Sequence, residues 1–183
     1  MSQPIRDNAL LDALERLPQS PYEGGVWRSV GQGRTPTDCW RAGGRWDDKT
    51  FDVLYTSETR EGAIEERRFH LFMGQPIAPS KLNYELFELS ASLKRVIELP
   101  DLKSLQGVGM DTRNYGKAAY ADKDDEYPPS QAIAEACFFL GADGILVPNA
   151  RHSSKNLVVF CEQGTHQEVT TVKNHGIIDW TAL

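Results

Sequence analysis

Short apolar runs with strand-like character recur along the whole chain, and only three helical stretches interrupt them. Gly24–Val30 (GGVWRSV) places Val26, Arg28 and Val30 on one side of a strand and Trp27 and Ser29 on the other. Thr50–Ser57 (TFDVLYTS) reads as a second strand. Asn83–Ser90 and Lys94–Pro100 are strand-like, and Gly144–Val147, Asn156–Cys161 and Glu168–Lys173 form a late group. The helices are expected at Asp7–Leu17, with Asp7 as cap and Leu10, Leu14 and Leu17 on one face, at Arg60–Met73 behind a Thr59 cap, and from a Ser130 cap to Leu140, where Gly141 stops the turn. Helices at the ends of a largely antiparallel sheet make the class α+β. The glycine- and charge-rich stretch 107–130 is expected to be mostly loop, a flap or a partner-facing segment. No repeat or long linker divides the chain, so one domain is expected over residues 1–183, with its core at about 25–160 and an N-terminal helix at about 7–17.

The 183 residues are 40% hydrophobic and carry a formal net charge of −6. That is enough chain for a sizeable core, and the acidic balance disfavours binding along a nucleic-acid backbone. Cys39, Cys137 and Cys161 are odd in number and far apart, which argues against a disulfide framework and a zinc knuckle. The N-terminus has acidic residues and no apolar core of a signal peptide, and no apolar run approaches membrane-spanning length, so a cytoplasmic protein is expected. His152, His166 and His175 lack metal-site spacing, and no phosphate-binding glycine loop or nucleophile elbow is present.

The chemistry-bearing residues concentrate in three places. Gly43-Gly44-Arg45-Trp46 combines backbone that approaches a ligand closely, a planar donor for phosphate oxygens and a rigid aromatic wall; on residue types alone the plainer reading is a tight turn with a solvated Arg45 and a buried Trp46. Arg28 lies inside an apolar strand, where it either lines a cleft or faces water from an edge. Tyr55 and Ser57 share one strand face. On the following helix Ala63, Glu66, His70 and Met73 share a stripe on which a carboxylate needs a partner, while Glu65 turns to solvent; a surface ion pair with Arg67 or Arg68 is the alternative for Glu66. Val147–Phe160 is strand, polar turn, strand, with Ser153, Ser154 and Asn156 able to face a ligand or merely to form a hairpin turn.

The ordered set VWR, GGRW, VLYTSET, AIEERRFHL and GILVPNAR…NLVVF, covering roughly Gly25 to Phe160, resembles the RES-domain family, the toxins of RES–Xre type toxin–antitoxin pairs. The resemblance implies an ADP-ribosyltransferase-like fold that acts on NAD⁺ as substrate, without a metal. It also implies Arg28, Tyr55 and Glu66 as catalytic residues, with Arg28, Gly44, Arg45, Trp46, Tyr55, Ser57, Asn149, Ser153 and Asn156 around the dinucleotide. Asn149 stands where many members carry the family serine, so either Asn149 or a hydroxyl from Ser153 or Ser154 fills that role. Arg28 and Arg45 would hold phosphate oxygens, Tyr55 would pack on the nicotinamide or its ribose, and Glu66 would face the sugar as it becomes cationic. The acceptor of the ADP-ribose would be water, phosphate or a protein. A cognate Xre-type antitoxin is the implied partner, a homo-oligomer is possible, and no direct nucleic-acid binding is expected. The alternative is a non-catalytic nucleotide- or antitoxin-binding protein of the same family.

Overall fold

The computed structural model describes residues 6–72, 83–117, 123–163 and 168–182. In chain order the elements are α1 Asn8–Glu15, β1 Gln19–Gly31, β2 Val53–Ser57, α2 Arg60–Phe72, β3 Tyr84–Glu98, α3 Leu102–Gly107, α4 Lys123–Glu126, α5 Pro128–Phe139, β4 Gly144–Pro148, β5 Lys155–Phe160 and β6 Glu168–Ile177. The strands hydrogen-bond in the order β1-β2-β5-β4-β3-β6, and β3 also returns to pair with β1. Every pairing is antiparallel except β3 with β4. The class is therefore α+β with a mostly antiparallel sheet, as expected from the sequence.

β1 runs beside β3 from Gln19↔Ile97 to Gly31↔Tyr84, but it meets β2 at the single pair Trp27↔Ser57. The two strands diverge beyond that point, and a cleft opens between them. β4 and β5 are buried on both faces, which is why GILV and LVVF read as continuous apolar runs rather than alternating ones. One core cluster joins Trp46, Phe51, Val53, Ile145, Val158 and Phe160 to α5 through Ile133 and Cys137 and to α1 through Leu14. A second lies across the sheet and contains Val26, Val30, Leu54, Phe87, Leu157 and Val159.

Several expectations change. The runs 83–90 and 94–100 form one continuous strand, because Ala91 and Leu93 carry the buried alternation through the gap. Ser130 does not cap α5. The helix starts two residues earlier, at Pro128-Pro129, whose missing N–H groups belong to the first turn, where no intrahelical bond is lost. The stretch 107–130, expected to be mostly loop, also holds α4 and the start of α5; residues 118–122 of it lie outside the described residues, as does Met73 at the expected end of α2.

The cysteine reading is also overturned. Cys39 and Cys161 form a disulfide, 122 residues apart in sequence with Cα atoms 6.4 Å apart, while Cys137 is free and buried. Spacing along the chain gave no sign of it, because the pair exists only once the loop after β1 lies against the end of β5. Disulfides are uncommon in cytosolic proteins, so the basis for a cytoplasmic assignment is weakened. Among the described residues no helix is long and apolar enough to cross a membrane.

Candidate functional site

The divergence of β1 and β2 makes one wall of a cavity of about 560 Å³, within the roughly 300–1,000 Å³ of small-molecule sites. The loop from Arg34 to Trp46, the inner face of α2, and Tyr115 with Tyr127 supply the rest. Arg28, Gly44, Arg45, Trp46, Tyr55, Ser57, Glu66 and Asn156 all border this one space; Asn149 and Ser153 do not.

The Gly43–Asp47 loop is organised by a buried carboxylate. Asp47, 0% exposed, accepts from Gly43 N at 2.7 Å with Oδ1 and from Gly44 N at 2.8 Å with Oδ2. The Tyr55 hydroxyl donates to Asp47 Oδ2 at 3.0 Å and accepts from Trp46 N at 2.9 Å. Gly44 is required here: a Cβ would stand 2.5 Å from the Tyr55 oxygen. Burial, then the negative Asp47, hold the Tyr55 phenol well above its ordinary pKa, so Tyr55 is a neutral hydrogen-bonding wall and not a base. Trp46 is 1% exposed and belongs to the core cluster; of its two readings, the buried one describes its ring.

Arg45 is not solvated. Its Nη1 lies 2.5 Å from Glu126 Oε1, and its guanidinium carbon is 4.7 Å from the ring centroids of both Tyr115 and Tyr127. Burial opposes its charge, but Glu126 and the two phenols more than offset this and the pKa is raised. Arg28 is held differently, by two backbone carbonyls: Nη1 donates to Pro36 O at 2.9 Å and to Asp38 O at 2.8 Å. It does not face water from a sheet edge. Burial first, and the neighbouring Arg67 guanidinium second, push its pKa down to about 10.

α2 reaches the cleft because its first turn lies against β2 and the turn that precedes β5. Gly62 permits this, since a Cβ there would stand 2.3 Å from Ser57 Oγ and 2.4 Å from Ser154 Oγ. Thr59 Oγ1 accepts from Gly62 N at 3.0 Å, in the expected capping role. One turn on, Glu66 Oε1 is 3.3 Å from His70 Nε2, and Glu66 Oε2 is buried with no hydrogen-bond partner. Glu65 pairs outward with Arg68 at 3.5 Å.

The hairpin β4–β5 backs the site. Ser57 Oγ lies 3.5 Å from Ser154 Oγ, and Ser153 is exposed away from the cavity. Asn149 is buried and fully engaged. Its Nδ2 donates to Gly62 O at 3.3 Å and Asn156 Oδ1 at 2.9 Å, and its Oδ1 accepts from Arg151 N and His152 N. It fastens the hairpin turn to the start of α2 and thereby places Glu66 indirectly.

Sequence reasoning passed over Asp47, Arg67, Tyr115, Glu126 and Tyr127. Arg67 was visible beside Glu66, but only as a surface partner for it; the two tyrosines and Glu126 lie in a stretch read as loop. Among the described residues no group of three His, Cys, Asp or Glu side chains is placed to hold a metal ion.

The crystal structure of the M. tuberculosis MbcT–MbcA toxin–antitoxin complex shares this fold, with a TM-score of 0.76 and 19% sequence identity over 93% of this chain and 92% of that one. No curated protein matches the sequence. Residues 14–181, from α1 to beyond β6, match the RES domain. The chain therefore belongs to the RES domain family.

Proposed function

We propose that the protein is the toxin of a toxin–antitoxin pair and that it breaks the nicotinamide–ribose bond of NAD⁺. Family membership and the shared fold with the MbcT–MbcA complex support the toxin reading. The observation that carries the chemistry is Glu66 Oε2, a buried carboxylate oxygen without a partner, bordering the same cavity as Arg28 and Tyr55. Such an atom costs free energy in the free protein and is satisfied by a ligand hydroxyl or a developing positive charge.

In this mechanism the ribose carbon–nitrogen bond breaks, both electrons leave with the nicotinamide nitrogen, and the sugar becomes cationic. The positively charged ring departs as a neutral base, so no strong acid is needed. Glu66, anchored by His70, stabilises the cationic sugar and orients a ribose hydroxyl; once the bound dinucleotide excludes water from the cleft, one such contact is worth about 3–4 kcal/mol of barrier. Tyr55 and the Gly43–Asp47 loop form a rigid wall for the nicotinamide ribose. Arg28 holds phosphate oxygens. An oxygen of water, phosphate or a protein side chain then attacks the sugar. A cognate Xre-type antitoxin neutralises the toxin by covering the cleft.

The test is nicotinamide release from NAD⁺ by purified protein, followed by chromatography with and without phosphate and with its antitoxin. Release above buffer, suppressed by the antitoxin, supports the reading; no release under any condition ends it. A second reading, nucleotide binding without turnover, draws on Asn149, whose groups are all committed to the scaffold at the position where the family resemblance implies a serine. Calorimetry showing tight NAD⁺ binding without nicotinamide release would favour it.

A further inference from the structure

We propose that Arg28 and Arg67 together form an anion seat in the cleft, and that Arg67, not Arg45, is the second guanidinium that receives the substrate's diphosphate. The identity of the anion rests on the NAD⁺ reading; the existence of the seat does not.

Arg67 comes from α2, directly after Glu66. Its Nη2 donates to Ser29 O at 2.9 Å and its guanidinium carbon lies 4.7 Å from the Tyr84 ring centroid. Its Nε is buried and has no hydrogen-bond partner. Both Arg67 and Arg28 border the cavity. Among the described residues neither makes an ion pair: their hydrogen bonds go to the carbonyls of Ser29, Pro36 and Asp38. Asp38 favours the Arg28 charge and Glu66 the Arg67 charge, but only at longer range. Burial lowers the pKa of both, and Arg67 further lowers that of Arg28.

Two neighbouring half-buried cations without a carboxylate in contact are costly for the free protein. A bound dianion removes that cost: it separates the positive charges and gives the Arg67 Nε–H an acceptor. Ser29, whose carbonyl accepts from Arg67 and which borders the cavity, also has a buried Oγ without a partner. Arg45 is the opposite case. Its counter-ion is already Glu126 at 2.5 Å, and two phenol rings enclose it. A diphosphate would have to displace a protein carboxylate to reach it.

The test titrates inorganic pyrophosphate into the full-length protein at low ionic strength. In wild type the Arg67 Nε–H signal of the arginine side-chain NMR spectrum is expected to shift as pyrophosphate binds. By calorimetry, Arg67→Met weakens pyrophosphate binding about tenfold or more, Arg67→Lys recovers part of the loss, and the exposed control Lys103→Gln leaves it unchanged. With NAD⁺, Arg67→Met raises KM while kcat stays within about twofold. A wild type that binds no pyrophosphate, an unmoved Nε–H signal, or wild-type affinity in Arg67→Met overturns the seat. The NMR arm decides alone if the Arg67 variants do not fold. Seat-dependent pyrophosphate binding without nicotinamide release from any protein keeps the seat and discards the NAD⁺ reading. Nicotinamide release with an unchanged KM in Arg67→Met does the reverse.

Discussion

Arg45 and Glu126 meet at 2.5 Å with side chains only 9% and 7% exposed, and their contact closes one end of the cleft. Glu126 also accepts from Gly116 N at 2.7 Å, so a single carboxylate ties the Gly43–Asp47 loop to two stretches of the chain more than seventy residues away in sequence. Gln131 Nε2 fastens the same loop from α5, donating to Gly44 O at 2.9 Å and to Asp47 O at 3.1 Å.

Removing one partner of this buried pair leaves the other charged and unpaired. Glu126→Gln is expected to cost about 3–5 kcal/mol, whereas the double change Arg45→Met with Glu126→Met recovers most of that loss. Urea unfolding of the three proteins measures both values. A Glu126→Gln protein as stable as wild type would show that the pair does not support the fold.

The phenols predict an alkaline signature. Tyr22 is pushed up to about 12, by burial and then by Glu58, and Tyr55 and Tyr115 are raised by burial first. A raised folded pKa means that the neutral phenol contributes stability that is fully present below the unfolded value of about 10 and is lost as pH rises through the folded value. Arg28 acts with the opposite sign: its depressed pKa of about 10 costs stability while it is charged, and that cost is relieved as pH rises from about 10 towards the unfolded value. Absorbance titration of phenolate separates the two effects. Native protein should show a group of tyrosines still protonated at about pH 11, which titrate near 10 in urea. The pH–rate profile should show no Tyr55 ionisation on the acidic side of pH 10.

Breaking Cys39–Cys161 releases a loop of 122 residues in sequence separation, for which the unfolded chain gains entropy equivalent to about 2–5 kcal/mol. Cys39→Ala with Cys161→Ala should lower the urea midpoint accordingly, and reductant should do the same to wild type but not to the variant. Cys39 directly follows Asp38, whose carbonyl, with that of Pro36, holds Arg28. Reduction should therefore also raise KM for NAD⁺. Equal KM values with and without reductant would separate the disulfide from the site.

Glu66→Gln keeps the shape of the side chain and removes its charge. Nicotinamide release is expected to fall about 10²–10³-fold, while the melting temperature stays within a few degrees, because the buried Oε2 makes no hydrogen bond to lose. Stopped release with full antitoxin binding would separate catalysis from folding. Undiminished release would remove Glu66 from the mechanism.

The parts legible beforehand were those set by local pattern. Asp7 at the start of α1, Thr59 before α2 and the apolar runs of β4 and β5 announce their elements because caps and burial act within a few residues. The shared stripe of Glu66 and His70 followed from helical period, and the two do meet at 3.3 Å. Pro128-Pro129 misled for a related reason: proline signals a break in most contexts but suits a first turn, and the chain alone does not say which applies.

The amino-acid order by itself determined the α+β class, most of the longer elements and the stripe that Glu66 shares with His70, since each depends on residues a few positions apart; the short helices α3 and α4 were not announced. Only the tertiary structure decided which cations remain without a carboxylate in contact. Glu126 lies 81 residues from Arg45, Cys161 lies 122 from Cys39, and Ser29 lies 38 from Arg67. A charge's partner is fixed by which segments the sheet and its loops bring within hydrogen-bond reach, a distance that no local periodicity encodes.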